Sequence, residues 1–217
     1  LIERRVAFLT GYQNAAYAAD YRDVVAKVRA AEQAAGLGDK LALAAATYAY
    51  KVMAYKDEYE VARLFTDGKF AEQLASQFKG GKLRFWLAAP MIAKKDQHGH
   101  FEKKHFGQWM MVGFKILARF KGLRGTRFDY FGYTEERRHE RKLRDDYLAG
   151  LMRIASELTA KNHELAVAIA TLPDEIRGFG HVKDAALSAA KAKEAELWAG
   201  WPEGKLPAAK TTLIAAE

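Results

Sequence analysis

Apolar residues recur along most of the chain at three- and four-residue steps, the period of an amphipathic α-helix. Val6, Leu9, Tyr17, Val24, Val25 and Val28 stand among Arg, Asp and Lys, which predicts a helix pair from Leu1 to about Ala35. Asp20 is the expected N-cap between its halves, and Gly36-Leu37-Gly38 the stop. The next stripe, Leu41, Ala45, Tyr48, Val52, Tyr55, Tyr59 and Ala62, predicts one long helix from about Leu41 to Phe65 with a core-facing side. Thr66-Asp67-Gly68 then reads as a turn, and Phe70 to Phe78 as a short amphipathic helix closed by Gly80-Gly81.

The period changes in the middle of the chain. Leu83-Arg84-Phe85-Trp86-Leu87 alternates and is rich in aromatics, the pattern of a strand, with Pro90 as its end and Met91-Ile92-Ala93 as a continuation beyond. Asp96-Gln97-His98-Gly99-His100, flanked by Lys94, Lys95, Lys103 and Lys104, has the layout of a charged hairpin tip. Trp109 to Phe120 returns to helix and stops at Gly122, and Gly122 to Tyr133 is the least regular stretch. Thr134 with Glu135 and Glu136 is a helix start, a capping hydroxyl followed by acids where the dipole favours them. That helix runs to about Leu158, with Leu143, Tyr147, Leu151, Ile154 and Leu158 on one side. Asn162 caps another that ends before Pro173, and a last one runs from His181 to about Trp198. The expected class is mainly α, a helical domain with a small β-hairpin insertion (α+β) around residues 82–106. It reads as a single domain over residues 1–199 followed by a loosely ordered tail, 200–217, marked by Pro202, Gly204 and Pro207.

Composition narrows the classes. With 50% hydrophobic and 29% charged residues over 217 positions, the chain has the balance of a globular protein. It has no cysteine, which excludes disulfides, thiolate zinc sites, iron–sulfur ligation and a cysteine nucleophile within it. The most apolar stretch, Leu41 to Tyr50, is interrupted by Lys51, short of a membrane span, and charge from Glu3 onward argues against a signal peptide. A soluble, basic, cytoplasmic protein is expected; the start at Leu1-Ile2-Glu3 without Met reads as an excised domain or processed product.

The charge is unevenly placed. Between Lys115 and Arg144 there are ten Lys or Arg and four acids, a local balance of +6 out of +8 for the whole chain. Phe120, Phe128, Tyr130, Phe131 and Tyr133 are interleaved with them. Three readings stand side by side: a phosphate-rich partner such as a nucleotide or nucleic acid, arginines docking on an acidic protein surface, and a solvated helix face laced with ion pairs. No nucleic-acid module is recognisable, which makes that partner the less favoured. The candidate docking or anion-binding surface comprises Arg124, Arg127, Arg137, Arg138, Tyr130 and Tyr133. Asp57, Glu58 and Glu60, beside Lys56 and Arg63, read either as a buried ion-pair network or as an exposed face. His98, His100 and His105 match no familiar metal-ligand spacing and sit among lysines, so no metal site is assigned. There is no Walker loop, no nucleophile elbow, and Gly178-Phe179-Gly180 lacks the strand that a dinucleotide fingerprint needs. No catalytic residue is assigned.

Three stretches, in this order and spacing, carry a resemblance. They are Tyr55-Lys56-Asp57-Glu58-Tyr59-Glu60-Val61-Ala62-Arg63-Leu64 through Thr66-Asp67-Gly68, then Leu123-Arg124-Gly125-Thr126 with Phe128-Asp129 and Phe131-Gly132-Tyr133-Thr134-Glu135-Glu136-Arg137, and Leu172-Pro173-Asp174-Glu175-Ile176-Arg177-Gly178-Phe179-Gly180-His181-Val182-Lys183. Together they resemble the C-terminal domain of the fused indolepyruvate ferredoxin oxidoreductase-like enzymes, members of the thiamine-diphosphate-dependent 2-oxoacid:ferredoxin oxidoreductases. The resemblance runs from about Arg4 to Trp198.

It implies a parent enzyme that oxidatively decarboxylates an aryl 2-oxoacid to its acyl-CoA and passes electrons to ferredoxin. That parent would use thiamine diphosphate, Mg²⁺, iron–sulfur clusters and coenzyme A, and would be a homo-oligomer. The family's cysteine clusters and thiamine-binding motifs have no match here, so the resemblance implies an accessory domain with no cofactor of its own. Its partners would be other domains of the same polypeptide, with ferredoxin a partner of the parent and no membrane. The alternative is a stand-alone basic helical module that binds nucleic acid or another phosphate-rich ligand.

Overall fold

The computed structural model describes residues 1–87, 104–178 and 181–207. In chain order its elements are α1 (Ile2–Tyr12), α2 (Ala15–Ala34), α3 (Lys40–Met53), α4 (Glu58–Thr66), α5 (Lys69–Gln77), β1 (Phe85–Leu87), β2 (Lys104–Phe106), α6 (Met110–Arg119), α7 (Glu135–Glu157), α8 (His163–Thr171) and α9 (His181–Ala199). Single 3-10 turns occupy Phe120–Leu123, Phe131–Tyr133, Leu172–Asp174 and Trp201–Glu203. The fold is mainly α with a small β hairpin. β1 and β2 pair antiparallel, Phe85 opposite Phe106 and Trp86 opposite His105. The expected hairpin tip, with His98 and His100, lies outside the described residues. Among the described residues no helix is long and apolar enough to cross a membrane.

The chain forms two compact units: one built from residues up to Tyr55 and from Arg138 onward, the other from Lys56 to Arg137.

In the first unit, α1, α2 and α3 pack with α8 and the C-terminal half of α7 around Leu9, Tyr12, Val25, Leu41, Met53, Leu151, Ile154 and Leu165. The first helix pair breaks at Asn14, not at Asp20. The Asn14 side chain accepts the Tyr17 N–H at 2.9 Å, satisfying a donor that the helix start leaves without a partner, while Asp20 is exposed within α2. Buried tyrosines carry a second organising role. Their rings fill the core, and each hydroxyl needs an acceptor there. Tyr12 donates to the Tyr55 carbonyl, Tyr17 to Met53 and Tyr21 to Ala46, each at 2.9 Å, and Tyr147 to Ala170 at 2.7 Å.

Two of those bonds explain why the single helix expected from Leu41 to Phe65 is two. α3 stops at Met53, and the Met53 and Tyr55 carbonyls, which a continuing helix would use internally, are taken by Tyr17 and Tyr12. Asp57 then restarts the chain by accepting the Glu60 N–H at 2.8 Å. The apolar stripe continues in register across the break, so periodicity alone reads straight through it.

Gly200 was expected to open a loose tail. Instead Trp201 is buried, its ring 5.1 Å from Trp198, and its indole N–H donates to Glu157 at 2.6 Å. That bond, with a second from Arg153, holds the Glu157 carboxyl below its ordinary value of 4.5. A carboxyl depressed in the folded state contributes stability above its unfolded pKa and loses it as pH falls through the lower, folded value. Trp201→Phe is therefore expected to move the Glu157 titration upward when followed by NMR; an unchanged midpoint rejects the assignment.

The second unit is held by an aromatic cluster. Phe65 packs edge-on against Phe70 and Phe85 and stacks on Phe114 at 5.0 Å, while Ala62, Leu83, Met110 and Leu117 fill the remainder. α4 and α6 form its main helix pair, and α5 follows α4 through Gly68, whose φ of +92° a side chain would resist.

Candidate functional site

The residues of interest gather in the second unit, around the start of α4 and the irregular segment that follows α6. Asp57, besides capping α4, receives two bonds from Arg124, from Nε at 2.6 Å and Nη2 at 2.8 Å. Both side chains are almost wholly buried, 1% and 3% exposed, so this bidentate pair is screened from water. The Arg124 guanidinium also lies 5.4 Å from the centre of the Tyr59 ring. One turn on, Glu60 accepts from Nε and Nη2 of Arg63 at 2.8 and 2.7 Å. Glu58 takes two from Arg137, at 3.2 and 3.3 Å. Burial alone would lower the Arg137 guanidinium, but the Glu58 carboxylate outweighs it and holds the group above its ordinary value.

Asp129 shapes the irregular segment itself. Its carboxylate accepts the Gly125 N–H at 2.8 Å and the Gly132 N–H at 3.0 Å, closing the loop on itself, and the Tyr59 hydroxyl at 3.2 Å, tying it to α4. Burial and the Asp129 charge push the Tyr59 phenol well up, so it stays protonated and keeps donating. Phe131 adds an edge-on contact to the Tyr59 ring at 5.4 Å.

These bonds sort the sequence-derived candidates. Arg124 and Arg137 are buried and engaged by Asp57 and Glu58, so neither presents its charge to a partner. The acids Asp57, Glu58 and Glu60 form the ion-pair network, one of the two readings their spacing left open. Arg127, Tyr130 and Tyr133 face solvent together with Phe128, which sequence reasoning noted only as a neighbouring aromatic; the three rings are 57–63% exposed. Arg127 lies over the Phe128 ring at 4.7 Å, and its carbonyl accepts the Tyr133 hydroxyl at 2.8 Å. Arg138 is exposed on α7 and belongs to the first unit.

A family model, described as a family of unknown function (DUF6537), matches residues 1–196. The chain belongs to that family. No curated protein and no solved structure matches it. Among the described residues of this DUF6537 chain, no three His, Asp or Glu side chains gather as metal ligands would.

One buried acid had no sequence signal at all. Glu32 of α2 is fully buried in the first unit, accepting the Leu41 and Ala42 N–H groups at 2.8 Å and His163 Nε2 at 2.7 Å. It caps α3 from a neighbouring helix, a role that becomes visible only when α2, α3 and α8 are brought together.

Proposed function

We propose that this DUF6537 chain is an accessory domain of a thiamine-diphosphate-dependent indolepyruvate (2-oxoacid):ferredoxin oxidoreductase, holding a basic, aromatic surface against another domain of the same polypeptide. The observation that carries this reading is where the resembling stretches meet. Asp57, Glu58 and Tyr59 of the first contact Arg124, Asp129 and Arg137 of the second, across 67 to 79 residues of chain. Two stretches that carry the resemblance thus act as one latch, and what the latch presents outward is Arg127, Phe128, Tyr130 and Tyr133. Arginine and aromatic side chains anchor protein interfaces because they offer large contact area with directed polar atoms.

The chain has no cysteine, so thiolate ligation of iron–sulfur clusters falls to other parts of the proposed polypeptide. Thiamine diphosphate, Mg²⁺ and coenzyme A are assigned to those parts as well. The contribution proposed for this chain is positional, and no step of the reaction is assigned to its side chains.

The test is the full polypeptide, purified without oxygen and supplied with indolepyruvate, coenzyme A and thiamine diphosphate. Reduction of ferredoxin or of a viologen dye is the expected result. A polypeptide that reduces neither with any aryl or aliphatic 2-oxoacid rejects the reading. Binding of generic RNA by the same material, weakening steeply with salt, favours the phosphate-binding alternative, for which the exposed Phe128, Tyr130 and Tyr133 rings would be stacking faces.

A further inference from the structure

α6 has two apolar faces, and among the described residues only one is covered. Phe114 is buried in the aromatic cluster, with Met110 and Leu117 packed beside it. On the opposite side Val112 and Ile116, with Trp109 just before the helix and Phe120 just after it, recur at steps of three, four and four residues, and each is half or more exposed. At the rise of an α-helix this stripe is about 16 Å long, about three turns. Scattered exposed apolar residues need no explanation, but four large ones aligned on a single helix face mark a contact surface.

The charges beside the stripe say what fits it. Lys115 and Arg119 each follow Val112 and Ile116 by three residues, so both line the same edge of the stripe, and both are exposed. The whole unit, Lys56–Arg137, holds sixteen Lys or Arg against ten Asp or Glu, which is +6 of the chain's +8. The buried pairs Arg124–Asp57, Arg137–Glu58 and Arg63–Glu60 cancel internally and leave that excess on the surface. A second copy of the unit would bring like charge against like. By sequence, residues 88–103 carry three lysines against two acids and so do not complement the edge either. A membrane-lying helix has cations on both flanks of its apolar face, whereas here the cationic edge is on one side and the other side of α6 packs into the unit.

We infer that the Trp109–Val112–Ile116–Phe120 face of α6 is the docking site for an amphipathic helix, about three turns long, whose apolar stripe is edged by Asp or Glu. This rests on the accessory-domain reading, and the helix belongs to another domain of the same polypeptide. The apolar stripes mate as in helix-in-groove recognition, and the acidic edge meets Lys115 and Arg119, which fixes register and direction.

The experiment places a photo-crosslinking amino acid at Val112 in the full polypeptide and maps the adduct by mass spectrometry. The expected adduct lies in a helical segment outside this domain with an apolar stripe and an acidic edge. Ile116→Asp is expected to reduce its yield roughly tenfold, the effect of removing an interface anchor. Because Ile116 is exposed, circular dichroism should be unchanged; Lys115→Glu with Arg119→Glu tests the edge while leaving the stripe intact, and should also reduce the yield. An adduct to residues 88–103, an adduct to the same unit of a second copy, no adduct, or sedimentation with phosphatidylserine-containing vesicles that Ile116→Asp abolishes each overturns the inference. Turnover of a 2-oxoacid without the expected adduct removes the docking site and leaves the function standing. The expected adduct in a polypeptide that turns over no 2-oxoacid does the reverse.

Discussion

Arg124→Ala is expected to destabilise the Lys56–Arg137 unit by about 3–5 kcal/mol, the cost of leaving one partner of a buried ion pair without its counter-charge. The magnitude follows from where the pair sits. Arg124 and Asp57 are 1% and 3% exposed and joined by two short bonds, so water cannot replace the lost guanidinium. A surface pair in the same geometry would be worth about 1 kcal/mol or less. Asp57→Ala should cost about 1 kcal/mol more than Arg124→Ala, because Asp57 also caps α4 through the Glu60 N–H. Urea unfolding, with amide exchange resolving the residues of this unit, reads both variants. A loss under about 1 kcal/mol for Arg124→Ala would mean that the pair is solvated in solution. The same experiment bears on function: Arg124→Ala acts on any partner only by loosening the loop that carries Arg127, Tyr130 and Tyr133, so Arg127→Glu tests docking without touching the latch.

The second large effect is expected in the other unit. Glu32→Ala removes the acceptor for two buried backbone N–H groups at the start of α3 and for the partly buried His163, around a carboxylate that is itself fully buried. Hydrogen bonds to a charged group contribute about 1.5–3 kcal/mol each, and buried donors left without a partner add their own desolvation cost. A total near 4 kcal/mol is expected, reduced from the plain sum because the three bonds share one carboxylate. Glu32→Gln keeps one acceptor oxygen and should lose about half as much. Chemical denaturation of both variants, followed at α3 amides, decides; a Glu32→Gln variant as stable as the wild type would show that the carboxylate charge and its second oxygen contribute nothing.

Several elements were legible because their determinants are local. Thr134 with Glu135 and Glu136 marked the start of α7, and the Thr134 hydroxyl does accept the Arg137 N–H, at 3.4 Å. Tyr147, Leu151 and Ile154 were read as one face of that helix and are buried together. The alternating aromatics at Leu83–Leu87 gave the strand. What went unseen depended on contacts distant in the chain. The break after Met53 is made by tyrosines 36 and 43 residues away, and an apolar stripe that stays in phase across a gap carries no trace of it. Arg124 and Arg137 looked like surface charge because the carboxylates that take two bonds from each lie 67 and 79 residues earlier. The Trp109–Phe120 stretch was read as an apolar helix, but which of its faces is covered depends on Phe65 and Phe85.

Taken alone, the amino-acid order determined a helical protein with one short hairpin, no thiol chemistry, and an excess of positive charge concentrated between Lys115 and Arg144. Periodicity, capping residues and composition act over a few positions, and those properties are decided at that range. Only the tertiary structure decided which arginines are latched inside and which aromatic rings face outward. Burial and ion pairing are properties of groups brought together from distant parts of the chain, and a one-dimensional pattern does not contain that proximity.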